Sequence, residues 1–215
     1  MDTTRLEFSC ECNKVSGVLL VEKKLPGNHI KCYCVDCQNF QGLLNNPFNK
    51  LDPNGGSEVY QTYPALFRIR SGAENISCFK FSEKGIYRWY TSCCHSHIAN
   101  SLPNSKVAFI GLPVNIFKIS PKDLEAVIGK ITLKSFGKYA KPPKPHDAYD
   151  TLPKTYIFSI MPFMLKGMLK KMAIPNPLFQ ANGEPISKPE NKIKSQKDND
   201  KDYPKPQNVD VVSYK

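Results

Sequence analysis

Hydrophobic and polar residues alternate in short runs over the first two thirds of the chain, and this period of two is typical of β-strands. Seven runs are rich in β-branched and aromatic residues: 15–21, 58–63, 66–70, 76–81, 86–91, 107–112 and 116–119. Turn formers such as Pro26-Gly27 and Ser71-Gly72 separate most of them. The pattern predicts a mainly β fold built on an antiparallel sheet.

Two short helices are predicted within this β-rich part. Residues 36–41 favour one helical turn with Asp36 near its start. Residues 121–130 favour a helix that begins after Ser120, a good N-cap residue, with Pro121 at the first helical position.

A third helical segment, residues 156–174, is apolar, with Lys166, Lys170 and Lys171 on one side at helical spacing. Pro162 and Gly167 are expected to interrupt or bend it. One interpretation is a basic amphipathic helix that contacts a membrane surface or a partner. The other, which we favour because apolar stripes usually belong to the core, is a terminal helix that packs on the sheet.

The composition changes after residue 137. Residues 141–146 are rich in Lys and Pro and are predicted to be a linker, whereas residues 187–215 combine Lys, Asp, Asn and Pro and are predicted to be disordered. We therefore expect a β domain at 1–137, a linker with a C-terminal amphipathic helix at 138–186, and a tail at 187–215.

Charge and targeting features bear on the expected ligands and cellular location of the protein. The formal net charge is +11, which favours polyanions, anionic lipid or small acidic ligands without choosing among them. No secretory signal pattern is recognisable near Met1, and no run reaches the roughly 18 apolar residues of a membrane span. We expect a cytoplasmic location, with the nucleus as the alternative, and reduced cysteines.

Seven of the eight cysteines lie in three groups. Cys32, Cys34 and Cys37, here called the middle cluster, form a Cys-x-Cys-x-x-Cys motif that suits one soft cation better than a disulfide. Three protein ligands with a vacant fourth position are typical of catalytic zinc. Alternatively, one of the histidines closes the site and makes it structural; the candidates are His29, His95 and His97.

The remaining two groups, Cys10 with Cys12 and Cys93 with Cys94, are here called the outer cluster. We expect them to meet in space and to hold a second, structural zinc ion that ties distant strands together. Two adjacent cysteines rarely reach one ion without strain, so His97 is an alternative to Cys93, which we favour. The eighth cysteine, Cys78, alternates like a strand residue and is predicted to be a small buried apolar group.

The order of these motifs resembles the glutathione-dependent formaldehyde-activating enzymes and centromere protein V. The similarity covers about residues 6 to 120, and the matching positions are Cys10, Cys12, Val15, Cys32, Cys34, Cys37, Gln38, Arg88, Tyr90, Cys94 and Ile98-Ala99-Asn100. The resemblance implies a β-rich zinc fold of the β-tent type with two ions. One ion is structural, and the other sits on the middle cluster, where the family's enzyme joins glutathione and formaldehyde.

The chain departs from the family pattern at three positions. Asn13 and His95 replace glycines that follow the cysteines, and both residue types reach the left-handed backbone region more readily than most. Thr91 stands where the family has a cysteine, and Cys93 is the expected replacement. The ending therefore resembles a divergent branch of the family.

Two functions follow as hypotheses. The first is a carbon-sulfur lyase activity on a glutathione or other small-thiol aldehyde adduct, with Cys32, Cys34 and Cys37 as the catalytic metal ligands and Arg88 as the expected basic residue. The second is a non-catalytic zinc module that binds chromatin, nucleic acid or protein. A cysteine nucleophile, Cys37 or Cys78 activated by His95 or His97, ranks last because it leaves the neighbouring thiols unexplained.

Overall fold

The computed structural model describes residues 3–191 and confirms a mainly β protein. Its strands are β1 (Thr3–Ser9), β2 (Ser16–Glu22), β3 (Asn28–Cys32), β4 (Ser57–Thr62), β5 (Phe67–Ser71), β6 (Ile76–Phe79), β7 (Tyr87–Thr91), β8 (His97–Ser101), β9 (Ile110–Pro113), β10 (Leu133–Ser135) and β11 (Pro189–Glu190). The helices are α1 (Val35–Leu44), α2 (Pro121–Ile128) and α3 (Lys154–Leu169).

The strands form two sheets. The small sheet is antiparallel, in the order β1-β2-β5, and the large sheet has the order β10-β3-β4-β9-β8-β7-β6-β11. The inner pairs of the large sheet are antiparallel as predicted, whereas its two outermost pairs, β10 with β3 and β11 with β6, are parallel. The large sheet is therefore mixed.

One hydrophobic core is shared by the two sheets. Leu6 and Phe8 of the small sheet belong to the same buried cluster as Trp89 and Ile98 of the large sheet. The rings of Phe8 and Phe67 stack with centroids 4.6 Å apart across the small sheet. Burial of these large apolar groups is the main contribution that packs the sheets together.

Two predictions along the chain are wrong. Residues 116–119 do not form a strand, because the chain turns through Val114–Ile116 directly after Pro113, and Phe117 meets Phe8 only at an isolated bridge. The predicted disordered tail also starts too early, since β11 pairs with β6; residues 192–215 of that tail lie outside the described residues.

Both short helices are present, and α1 is longer than predicted. Ser120 caps α2 as expected, because its hydroxyl oxygen accepts a hydrogen bond from the Asp123 N–H at 3.2 Å. Helix α1 spans ten residues instead of a single turn, because Phe40 and Leu44 are fully buried on one side of it.

Helix α3 packs one face on the large sheet and continues through Pro162 and Gly167. The Phe163 ring stacks on Tyr63 with centroids 4.3 Å apart, and the Tyr63 hydroxyl donates a 2.9 Å hydrogen bond to the Phe163 carbonyl. The favoured interpretation, a helix packed on the sheet, is confirmed for this face. The division of the chain at 137 stays a prediction, whereas the boundary at 186 would place the paired residues of β11 in the tail.

The close approach of α3 to the sheet depends on Gly167. A Cβ atom at this position would lie 2.5 Å from the Tyr63 ring and 2.8 Å from Ala108 Cβ. For Gly167→Ala we expect a net loss of roughly 1–2 kcal/mol, since overpacking costs about 1–3 kcal/mol and the helix propensity of Ala returns up to about 1 kcal/mol. Urea unfolding of the metal-loaded protein measures it.

The matched control is Gly42→Ala in α1, where an added Cβ meets nothing within 4 Å. This variant is expected to gain roughly 0.5–1 kcal/mol, because Ala loses less backbone entropy in a helix than Gly. Equal effects of the two substitutions would contradict the proposed contact between α3 and Tyr63.

Candidate metal centres

The outer cluster lies where the two sheets meet. Cys10 and Cys12 are in the turn between β1 and β2, and Cys93 and Cys94 are in the turn between β7 and β8. The four sulfurs all lie within 4.8 Å of one another. The structure thus joins two turns that are about eighty residues apart in sequence.

The spacing of the sulfurs suits a tetrahedral metal site. Cys10 Sγ lies 3.6 Å from Cys12 Sγ, Cys12 Sγ lies 3.4 Å from Cys93 Sγ, and Cys93 Sγ lies 3.8 Å from Cys94 Sγ. Sulfurs bonded to one zinc ion at about 2.3 Å are about 3.8 Å apart, whereas a disulfide is about 2.05 Å long. All eight cysteines are free thiols.

Hydroxyl groups beside the outer cluster favour the thiolate form of Cys94. The hydroxyls of Thr91 and Ser96 both lie 3.3 Å from Cys94 Sγ. Burial raises the pKa of Cys94, but hydrogen bonds from Ser96 and Thr91 outweigh it and lower that pKa to about 6. Burial raises the pKa of Cys93 to about 12, so a cation is needed for all four sulfurs to be thiolates together.

The turns have the backbone geometry expected from the sequence. Asn13 has φ of 60° and His95 has φ of 53°, so both residues occupy the left-handed backbone region, which Asn and His reach more readily than most residues. The Val15 N–H donates to Cys10 Sγ at 3.3 Å. Each turn therefore folds back over its sulfurs.

The segment after α1 holds the second turn in place. The side-chain amides of Asn46 and Asn49 donate to the carbonyls of Cys94 and His95, at 2.5 and 2.6 Å. The Glu11 N–H donates to the Ser96 hydroxyl at 3.0 Å and links the two turns directly. These contacts fix the cysteine backbones.

The middle cluster surrounds the start of α1. Cys32 ends β3, Cys34 is the N-cap of α1, and the Cys34 sulfur accepts a 3.4 Å hydrogen bond from the Cys37 N–H. The three sulfurs lie within 4.8 Å of one another, and Cys34 and Cys37 are half-buried. The helix N-terminus favours negative charge at this position.

Arg88 supplies a buried positive charge beside the middle cluster. It is only 2% exposed, its guanidinium lies 5.4 Å from the rings of both Phe40 and Phe81, and its Nη1 is 3.9 Å from Cys37 Sγ. Its Nη2 lies 3.7 Å from the Asp36 carboxylate. Hydrogen bonds from Cys32 and Cys34, together with Arg88, hold the pKa of Cys37 well below its usual range.

The three candidate histidines lie outside both sulfur groups. The ring nitrogens of His29 bond the Gly129 carbonyl at 2.6 Å and the Glu58 carboxylate at 2.8 Å. Those of His97 bond Gln41 at 2.8 Å and Asn100 at 3.1 Å, and burial lowers the pKa of His97 to about 4. His95 packs against Tyr90, with ring centroids 6.2 Å apart.

Cys78 is separate from both groups. It is 1% exposed in β6, as predicted for a small buried group, and burial raises its pKa to about 12. Ser96, Asn46 and Asn49 support the outer cluster but were not predicted from the sequence. Only the hydroxyl residues that flank Cys93-Cys94 offered a signal in the sequence.

The fold and these two groups define a β-rich protein with two cysteine clusters that can bind metal ions. A model of a family of unknown function, DUF6151, matches residues 3–190, and the chain belongs to this family. The resemblance to the formaldehyde-activating enzymes stays a prediction. Among the described residues, no helix is long and apolar enough to cross a membrane.

Comparison with curated proteins finds no match. One solved structure, a crystal structure of a Rhodobacter sphaeroides protein, is similar over 55% of this chain and 94% of its own, with 16% sequence identity and a TM-score of 0.39. A similarity this low does not indicate a function for the chain.

Removal of one cysteine ligand tests whether the outer cluster binds a structural metal ion. Cys12→Ser is expected to lose one bound metal ion per chain and to lower the unfolding temperature, because a closed four-thiolate site contributes directly to folding. Elemental analysis and thermal unfolding of the purified protein measure both changes. Cys78→Ala is the control and should keep the metal content of the wild type.

Substitution of Thr91, which is not itself a metal ligand, is expected to weaken metal binding less than loss of a cysteine does. Its hydroxyl contacts Cys94 Sγ at 3.3 Å and accepts a 3.0 Å hydrogen bond from the Ser96 N–H. Thr91→Val removes both interactions at nearly constant volume, and we expect metal affinity at the outer cluster to fall roughly 10–100-fold. Competition with a chelator measures the affinity; an unchanged affinity would mean that the hydroxyl does not support the site.

Proposed function

We propose that the protein binds two zinc ions, one structural on the outer cluster and one functional on the middle cluster, and that the second serves a carbon-sulfur lyase reaction on a small-thiol aldehyde adduct. The observation that carries this proposal is the ligand count of the middle cluster. Its three sulfurs lie within 4.8 Å of one another, and no further Cys, His, Asp or Glu among residues 3–191 joins them.

The residues present fit a zinc ion with a vacant position. Three thiolates and one divalent cation carry a net charge of −1, and Arg88 brings a buried positive charge to 3.9 Å from Cys37 Sγ. When bound, zinc would supply a fourth coordination position and lower the pKa of a thiol that occupies it. Thiolate ligands favour zinc over harder cations such as magnesium.

The proposed reaction is the addition of a thiol to formaldehyde and its reversal. In the forward direction, the thiol sulfur forms a bond to the carbonyl carbon, and the proton lost from the thiol is matched by one gained at the carbonyl oxygen. In reverse, the carbon-sulfur bond breaks, the hydroxyl group loses its proton to become the carbonyl of formaldehyde, and a proton returns to the thiol sulfur. Glutathione fits as the thiol because it is a net anion and the protein carries +11.

Arg88 is proposed as a positioning residue in this chemistry. Its guanidinium is fixed between Phe40 and Phe81 and balances the negative charge of the cluster. The pair with Asp36 limits its rotation. Arg88 would thereby favour thiolate at Cys37 and keep the three ligands in one orientation.

A second candidate function is a zinc module that binds nucleic acid, chromatin or another protein without catalysis. One observation favours it: two surface clefts of the described residues are lined by residues other than Cys32, Cys34 and Cys37. One cleft borders Cys93 and Cys94, and the other borders Lys31 and Asp52.

The decisive variant is Cys34→Ser. We expect zinc content to fall from two ions to one with the fold intact, because the outer cluster is untouched. We also expect at least a ten-fold loss in the rate at which formaldehyde exchanges with its glutathione adduct, followed by carbon-13 magnetic resonance above the uncatalysed background.

The control is again Cys78→Ala, which should keep both zinc content and rate. If the wild type does not accelerate the exchange, or if Cys34→Ser accelerates it equally well, the lyase proposal is wrong. If Cys34→Ser unfolds, the middle cluster is structural. Salt-dependent DNA binding by an inactive wild type would favour the second candidate.

A further inference from the structure

Helix α3 carries an apolar face that points away from the sheet. Six large hydrophobic side chains of this helix are 41–73% exposed: Ile157, Phe158, Met161, Leu165, Met168 and Leu169. At 100° per residue these positions fall within an arc of about 120° on one side of the helix. This set of six residues is here called the outer face of α3.

The opposite side of α3 is already used by the fold. Phe163 and Gly167 are buried against Tyr63, and Ile160 and Met164 pack beside them. The helix is therefore apolar on both sides. Monomeric soluble proteins rarely expose so many neighbouring large apolar groups, and such a patch marks an interaction surface.

The charges around the outer face select the kind of partner. Residues 151–183 contain four lysines, at 154, 166, 170 and 171, and no Asp or Glu. The lysines are exposed at both ends of α3 and beside the outer face. A partner with an apolar interior below a negatively charged surface complements this combination of apolar side chains and lysines.

A second copy of the chain fits less well. In a symmetric pairing through the outer face, the four lysines of one copy would meet those of the other, and this segment has no carboxylate to offset them. A protein partner would need an apolar groove lined by acids. An anionic lipid bilayer supplies both properties without a specific groove.

The dimensions of α3 suit a helix that lies on a membrane. Its 16 residues give a length of about 24 Å, short of the roughly 30 Å of a hydrocarbon core, and its other face is held by the sheet. Such a helix can bury only its outer face, to the depth of the headgroup and acyl boundary.

We propose that the outer face of α3 docks the protein on anionic lipid surfaces, with the Phe, Met and Leu side chains entering the bilayer interface and the flanking lysines contacting lipid headgroups. This binding does not depend on the proposed lyase reaction, since none of its residues belongs to either cysteine cluster.

The experiment is vesicle flotation with the full zinc-loaded chain. The probes are phosphatidylcholine vesicles and vesicles of phosphatidylcholine with phosphatidylserine. We expect binding to the anionic vesicles that weakens as salt is raised, and much weaker binding to the neutral ones. Phe158→Gln/Leu169→Gln should reduce binding to anionic vesicles roughly ten-fold or more, and Met161→Gln should reduce it less.

Two further variants test whether binding is specific to the outer face and how much of it comes from the lysines. Tyr149→Gln changes an aromatic residue outside α3 that is 56% exposed, and it should bind like the wild type. Lys154→Gln/Lys170→Gln should lose part of the binding to anionic vesicles and leave the weak neutral binding unchanged. Zinc content and thermal unfolding verify that each variant is folded.

Three results would overturn the proposal. The first is no binding to anionic vesicles at low salt, and the second is equal binding by the wild type and Phe158→Gln/Leu169→Gln. The third is self-association of the wild type in sedimentation velocity, abolished by the same double substitution and without vesicle binding. That last result would assign the outer face to a second copy of the chain.

Discussion

The convergence of four sulfurs between two distant turns is the constraint on which this structure depends. Cys10 and Cys12 lie in a turn of the small sheet, between β1 and β2, and Cys93 and Cys94 lie in a turn of the large sheet, between β7 and β8. Four thiolates so close together repel one another strongly, and a bound cation would convert that repulsion into a cross-link between the sheets. The hydroxyls of Thr91 and Ser96 and the amides of Asn46 and Asn49 then hold the cross-link in one geometry.

Helix α1 connects the two cysteine clusters. Cys34 is its N-cap and Cys37 lies in its first turn, and the residues shortly after its end donate to the carbonyls of Cys94 and His95. Between its ends, Phe40 packs edge-on against the His97 ring with centroids 5.0 Å apart, and Gln41 bonds the same ring. The left-handed Asn45 ends the helix so that Asn46 can reach Cys94. A change at the middle cluster therefore has a short, well-packed path to the outer one.

Much of the fold was visible in the sequence, and the omissions have physical causes. The cysteine spacings and the β-branched runs are local signals, so both clusters and most inner strands were recognised. Strands β3 and β8 were missed because their polar residues, such as His29 and His97, are buried by partners that lie far away in sequence. The position of Arg88 between Phe40 and Phe81 likewise needs three separate elements to meet. Alternation along one segment cannot reveal such pairings.

The 81-residue separation between Cys12 and Cys93 also determines when the fold can be completed. On a ribosome that adds about 5–20 residues per second, the first two thiols wait several seconds before their counterparts are made. During that interval Cys10 and Cys12 can bind metal only incompletely, and they are open to oxidation or to capture by a neighbouring nascent chain. If the outer cluster is filled by a metal ion, the yield of correctly assembled protein should thus depend on the supply of that ion and of reductant during translation, before the stability of the finished molecule becomes relevant.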